Sequence, residues 1–227
     1  MKVIVTCGPS FEPIDEVRRI TNFATGEIGT LLSNALAAAG HEVICFRGSG
    51  SNFPAPLSAA VRVETFTTNQ SLLDALRAES KGTSVGAVFH AAALSDFSVS
   101  SVETESFGEK QSAGDVGRGK ISSSEKSVLL RLKPAPKLLS FFREFFPQAF
   151  LVAWKYEVEG GEATAEKSAR EQLRRYDTDA CVLNGPAVGV AFRLFLKERK
   201  TIREFADKAE LVTALTGETK EQNARFD

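Results

Sequence analysis

The sequence is poor in the side chains that most often carry chemistry: among 227 residues there are two histidines, three cysteines and two tyrosines. His41 follows a helix-terminating glycine and His90 ends an apolar run. Neither has a spaced partner suggesting a zinc site or a catalytic triad, so both read as structural. Cys7, Cys45 and Cys181 are an odd set without close pairing, each in or beside an apolar run. That pattern fits buried reduced thiols of a cytoplasmic protein rather than a disulfide framework. No stretch reaches the roughly 20 apolar residues of a membrane-spanning helix, and Met1-Lys2-Val3-Ile4-Val5 enters a strand-like run without the features of a leader. Excess charge is missing too: 28 basic against 29 acidic residues leave a net charge of −1. The expectation is therefore no nucleic-acid partner and no membrane.

What is present is an alternation. Short β-branched or apolar runs at 2–7, 41–46, 61–66, 85–91, 128–132, 150–154 and 180–183 read as strands. Helical patterns fall near 26–39, 71–78, 137–146, 163–176 and 206–215. Strands alternating with helices predict an α/β fold: a doubly wound, mostly parallel, Rossmann-like three-layer sheet. Ala191–Leu196 and Thr201–Phe205 flank a charged turn and predict an antiparallel edge hairpin. Length and a hydrophobic content of 43% suit one domain over 1–217, with 218–227 as a frayed tail. Residues 98–127 are rich in serine, glycine and charge and read as a mobile loop.

In such a sheet ligands bind beyond the carboxyl ends of the strands. Four segments qualify: 6–29, 91–97, 154–157 and 184–186. In the first, Arg18, Thr21, Asn22, Thr25 and Gly26 precede a helix whose free amides favour an anion. Thr25 as a cap and Gly26 as a turn explain that spacing equally well. Ala91-Ala92-Ala93 with Ser95-Asp96 lets a backbone approach a ligand and offers one carboxylate for a hydroxyl pair or a metal, although an Asp there is more often a turn residue. Lys120 lies in the loop, where a surface role is the simpler reading, and Lys155 follows a buried strand between Trp154 and Tyr156. Lys, Arg, Asn and backbone amides suffice for chemistry that needs charge stabilisation and positioning, such as nucleotidyl transfer to a carboxylate.

The run from Thr6 to Asn22, TCGPSFEPIDEVRRITN, closely resembles the opening signature of the phosphopantothenoylcysteine synthetase (phosphopantothenate–cysteine ligase) family, and Gly26 and Gly29 continue it. Ala91 to Phe97, Gly119-Lys120-Ile121 and Val152-Ala153-Trp154-Lys155 resemble its later signatures. The resemblance implies a ligase of coenzyme A biosynthesis that joins 4′-phosphopantothenate to L-cysteine. Its carboxylate attacks the α-phosphate of CTP, or of ATP, with Mg²⁺ on the triphosphate. On the same footing Asn22 binds the acyl nucleotide, Lys120 stabilises the transferring phosphoryl group, and Arg18, Thr25 and Gly26 bind substrate phosphate. Gly8, Ser10, Ala92, Ala93, Asp96, Lys155 and Asn184 hold the nucleotide, with Asp96 the one candidate metal ligand. The resemblance also implies a homodimer. Many members carry a flavin-binding decarboxylase upstream; a sequence opening at this signature leads to the expectation of a stand-alone ligase without FMN, served by a separate decarboxylase.

The family's usual Ser-Ser-Gly is here Ala24-Thr25-Gly26, and its usual Asn-Asp is Asn184-Gly185. Two alternatives therefore stay open: a diverged, inactive nucleotide-binding paralogue, and an NADPH-dependent oxidoreductase with Arg47 on a 2′-phosphate. Against the second, the first turn lacks Gly-x-Gly-x-x-Gly, and neither tyrosine has a lysine four residues later.

Overall fold

The computed structural model describes residues 1–106, 109–112, 116–117, 119–189, 192–199 and 201–223. In chain order the strands are β1 (Lys2–Pro9), β2 (Phe11–Pro13), β3 (Arg19–Thr21), β4 (Glu42–Gly48), β5 (Val61–Phe66), β6 (Val85–Ala93), β7 (Phe97–Ser106), β8 (Glu109–Ser112), β9 (Ser127–Pro134), β10 (Phe150–Tyr156), β11 (Ala180–Asn184), β12 (Phe192–Leu196) and β13 (Arg203–Phe205). The helices are α1 (Glu27–Ala38), α2 (Asn69–Glu79), α3 (Phe142–Phe145), α4 (Gly161–Tyr176) and α5 (Lys208–Asn223).

Eight strands form one sheet in the order β13-β12-β11-β10-β6-β1-β4-β5. The six from β5 to β11 run parallel, and β12 and β13 add the antiparallel edge. β1 is buried along its whole length, and alternation sends its side chains to both faces. Val3, Val5 and Cys7 meet Leu32 and Leu36 of α1 and Leu211 and Leu215 of α5. Ile4, with Ile44, Phe46 and Leu151, meets Leu72 and Leu76 of α2 and Phe142 and Phe146. On that second face α4 covers Cys181 and Leu183 with Ala165, Ala169 and Leu173. The doubly wound arrangement expected from the alternation is thus the observed fold. All three cysteines are buried and free, with the Cys7 and Cys45 sulfurs 3.6 Å apart.

Three local expectations are corrected. Residues 98–127 are not wholly loop, because β7, β8 and β9 form a separate three-stranded antiparallel sheet in the order β8-β7-β9. The run at 128–132 belongs to that arm, not to the parallel sheet. The ladder slips between Val99 and Ser101, a bulge that turns both Val99 and Val102 onto a small core with Ile121, Ile14 and Ile20. A spacing of three hides the strand from any search for alternation. Residues 107–108, 113–115 and 118 of this stretch lie outside the described residues. At the carboxyl end α5 continues through 218–223 of the expected frayed tail, whereas 224–227 lie outside the described residues. Glu218 is buried there because Arg203 donates to it at 2.6 Å and Arg199 lies 3.6 Å away. Third, the helix expected at 137–146 is a 3₁₀ turn, Leu138–Phe141, leading into the single turn of α3.

His90 is buried in β6 with Nδ1 2.7 Å from the Thr6 hydroxyl and its ring edge against Phe142. Burial pushes its imidazole down to about 4 from the ordinary 6.5. A histidine harder to protonate when folded supports stability above pH 6.5, and the contribution is lost as pH falls from there to 4. At roughly 1.4 kcal/mol per pH unit the whole span is worth about 3 kcal/mol. His90→Gln, which keeps a hydrogen-bonding group but cannot titrate, should therefore show a shallower loss of urea stability over that window. An unchanged slope contradicts the assignment.

Candidate active site

The sheet order reverses between β1 and β6, each of which starts a progression to its own side. In a sheet of this kind such a reversal places the ligand crevice beyond their carboxyl ends. Three loops meet there, and Ser10 joins them. Its N–H donates to the Ala93 carbonyl at 3.1 Å, its hydroxyl accepts from Ser95 N–H at 2.9 Å, and its carbonyl accepts from the Thr21 hydroxyl at 2.8 Å. Ser10 is fully buried, so it shapes the crevice from beneath. Beside it the exposed Asn22 donates from Nδ2 to the Leu94 carbonyl at 2.9 Å. The register Gly8↔Ala92 and Pro9↔Ala93 sets those backbones side by side. Gly8, Ser10, Asn22, Ala92 and Ala93 are thus brought together, with Asp96 three residues beyond Ala93.

Lys120 is placed by a residue the sequence reading passed over, on the turn at the other end of the β2–β3 hairpin from Ser10 and Asn22. Asp15 is buried; its Oδ1 accepts from the Val17 and Arg18 N–H groups at 2.9 and 2.7 Å, and its Oδ2 from Ile121 N–H at 3.1 Å. Arg18 Nη1 bridges Asp15 Oδ2 at 2.6 Å and the Ile121 carbonyl at 3.1 Å. Glu16 N–H donates to the Gly119 carbonyl at 2.9 Å, and Gly119 adopts φ +65°, a turn glycine allows freely. Both neighbours of Lys120 are thus fastened to the Ile14–Arg18 turn, while its ammonium is left in solvent. Burial alone would raise the Asp15 carboxyl, but the backbone donors of Val17, Ile121 and Arg18 and the Arg18 charge outweigh it and hold the group at about 2. A carboxylate three residues before an arginine was the available signal.

Thr25 and Gly26 take local structural parts. The Thr25 hydroxyl accepts from Glu27 N–H at 3.2 Å, and its carbonyl accepts from Asn52 and Phe53 N–H at 3.2 and 3.1 Å. The loop after β4 thus lies over the start of α1. A Cβ on Gly8 would stand 1.8 Å from the Ser51 hydroxyl, and one on Gly26 2.8 Å from it. The open sides of these glycines are filled by Ser51. Arg47 donates to the Phe53 carbonyl at 3.2 Å.

Lys155 and Asn184 stand one and two strands away on the same sheet edge. Ala153 pairs with His90, so Lys155 lies two residues nearer that edge; its ammonium is 3.1 Å from Glu157. Asn184 ends β11 and its carbonyl accepts from Glu157 N–H at 3.0 Å. Asp96 is ion-paired with Lys137. No group of three or more His, Cys, Asp or Glu side chains suited to a metal occurs among the described residues. A carboxylate already matched by an ammonium, outside any such group, does not make a dedicated protein cage for Mg²⁺.

A family model described as "DNA/pantothenate metabolism flavoprotein C-terminal domain" matches residues 1–225. The chain belongs to this family. Among its curated relatives is "Coenzyme A biosynthesis bifunctional protein CoaBC" of Thermococcus kodakarensis, 33% identical over 183 residues, which cover 81% of this chain and 41% of the relative. The counterpart from Methanocaldococcus jannaschii is 27% identical over 187 residues, 81% of this chain and 40% of the relative. The chain thus spans about two fifths of the length of these relatives. Among solved structures, the "DNA/Pantothenate Metabolism Flavoprotein from Streptococcus pneumoniae" superposes with a TM-score of 0.81 at 24% identity, covering 97% of this chain and 99% of that one. The family fold is therefore reproduced along nearly the whole chain.

Proposed function

We propose that this chain joins 4′-phosphopantothenate to L-cysteine in coenzyme A biosynthesis, with CTP or ATP as co-substrate. The observation that carries the reading is the fastening of Lys120 to the Asp15–Arg18 turn of the same β2–β3 hairpin whose other end sets Asn22 on the β6–β7 corner. Family membership and the names of the curated relatives support it. The reading accords with a Cab2 variant of similar fold, solved in complex with phosphopantothenate-cysteine, which is 18% identical over 99% of this chain and 88% of that one, with a TM-score of 0.74.

In the proposed reaction a carboxylate oxygen of phosphopantothenate attacks the α-phosphorus of the nucleotide. The bond to pyrophosphate breaks, and the Lys120 ammonium balances charge on the transferring group. The cysteine amine then attacks the acyl carbon, an amide forms, the nucleoside monophosphate leaves and the amine gives up a proton. Asn22 holds the acyl nucleotide, and the Ala92-Ala93 backbone with Asp96 holds the nucleoside. Arg18, with the exposed Thr25 hydroxyl, receives substrate phosphate, while Lys155 and Asn184 line the far wall. Omitting cysteine should let the acyl nucleotide accumulate, visible by mass spectrometry after quenching. Lys120→Gln should slow its appearance about 10²-fold, as loss of one charge-stabilising donor does in other enzymes; appearance at the parental rate contradicts the role.

The same reading includes a homodimer. β9 is an edge strand that exposes Val128, Leu129 and Leu132, apolar side chains that a second copy would cover. In sedimentation the protein should run as a dimer, and Leu129→Arg with Leu132→Arg should give monomer. A dimer unchanged by both substitutions excludes this strand as the interface.

A further inference from the structure

The pairing of Asp96 with Lys137 goes beyond the ligase reading, on which it rests for its ligand. An exposed ion pair alone is a weak determinant of position, and here both side chains are more than half exposed. The backbone fixes the geometry instead. Pro134 pairs with Phe97 at the end of the β7–β9 ladder, and Ala135 N–H donates to the Asp96 carbonyl at 2.9 Å. Pro134 and Pro136 restrict the dihedrals on either side. The start of Lys137 is therefore anchored at the corner between β6 and β7 whether or not the two charges touch.

We propose that Lys137 is a nucleotide-phosphate-binding residue that occupies, beside Asp96, the position a protein-held divalent cation would need. In the free protein its ammonium neutralises Asp96. When the carboxylate turns to the hydroxyl pair of a bound nucleoside, the ammonium is released at the mouth of the crevice, within the region where the phosphates must lie. Among the described residues no group of three or more His, Cys, Asp or Glu side chains suited to a metal occurs, and the Asp96 carboxylate is already matched by the Lys137 ammonium. Any divalent cation in the complex accordingly arrives on the triphosphate.

Titration calorimetry with CTP and with ATP, each in EDTA and in Mg²⁺, tests this without turnover. Lys137→Gln should lose about tenfold in nucleotide affinity, the scale of one charge-assisted contact, with an unchanged melting temperature, and Lys137→Arg should recover most of the loss. In parallel, the Mn²⁺ spin-resonance signal of the parent protein should show no binding until nucleotide is added. Parental affinity in Lys137→Gln overturns the proposal. So does Mn²⁺ binding by the nucleotide-free parent that disappears in Asp96→Asn. Failure of the parent to bind either nucleotide overturns the ligase reading itself, and this proposal with it.

Discussion

Asp15→Asn should lower turnover about 100-fold while leaving the chain folded. The side chain touches no substrate in this account; it holds the turn that carries Arg18 and the segment that carries Lys120. An amide retains one acceptor oxygen for the Val17 and Arg18 N–H groups but turns a donor toward Arg18 and Ile121 N–H, so the second half of the clamp opens. A misplacement of about 1 Å at a reacting group commonly costs about 10²-fold. The structural signature should be faster tryptic cleavage after Lys120, whose neighbours are no longer held. Acid should act in the same way. The carboxyl sits at about 2 against an ordinary 3.8, so the clamp stays charged in the folded chain until the pH nears 2, and the stability it contributes is full above 3.8 and lost as pH falls from there to 2. Undiminished turnover in Asp15→Asn, or an unchanged cleavage rate, removes Asp15 from the account.

The second large effect concerns stability and inverts an inference from resemblance. Gly185 stands where the family's usual acidic residue would be, and restoring it by Gly185→Asp should destabilise the protein by about 3 kcal/mol, not repair anything. Gly185 has φ +119°, a backbone region L-residues rarely adopt, and a Cβ there would lie 2.3 Å from the Glu157 carbonyl oxygen and 2.9 Å from its nitrogen. Strained dihedrals and overpacking each cost about 1–3 kcal/mol. The close approach exists because the loop after β10 is stitched to the one after β11: Glu157 N–H donates to the Asn184 carbonyl, and Ala187 N–H to that of Glu157. The glycine is thus a feature of how this chain closes its far wall. A urea midpoint in Gly185→Asp equal to the parent's contradicts this.

These cases mark how far the sequence could be read. The parallel sheet was legible because its strands are buried on both faces and appear as apolar runs such as Lys2–Cys7 and Val85–Ala91. The crevice followed from strand order and from the signatures around Asn22 and Asp96. Of the β7–β9 arm only the run at 128–132 was legible as a strand; β7 and the pairing were not, since a bulge breaks the alternation of β7. Nor was the covering of Gly8 and Gly26 by Ser51, a contact between loops 43 and 25 residues apart in sequence. Long-range pairings through single atoms, such as Asp15 with Ile121 or Asp96 with Lys137, leave no periodic trace. They decide which expected residues face the crevice and which support it from below.

The most direct test of the central claim is pyrophosphate release by the purified protein with 4′-phosphopantothenate, L-cysteine and Mg²⁺, comparing CTP with ATP and omitting each substrate in turn. The account predicts release that requires phosphopantothenate and a nucleotide and is nearly abolished in Lys120→Gln. Folded protein that binds nucleotide yet releases no pyrophosphate with either would contradict it and leave a nucleotide-binding paralogue in its place.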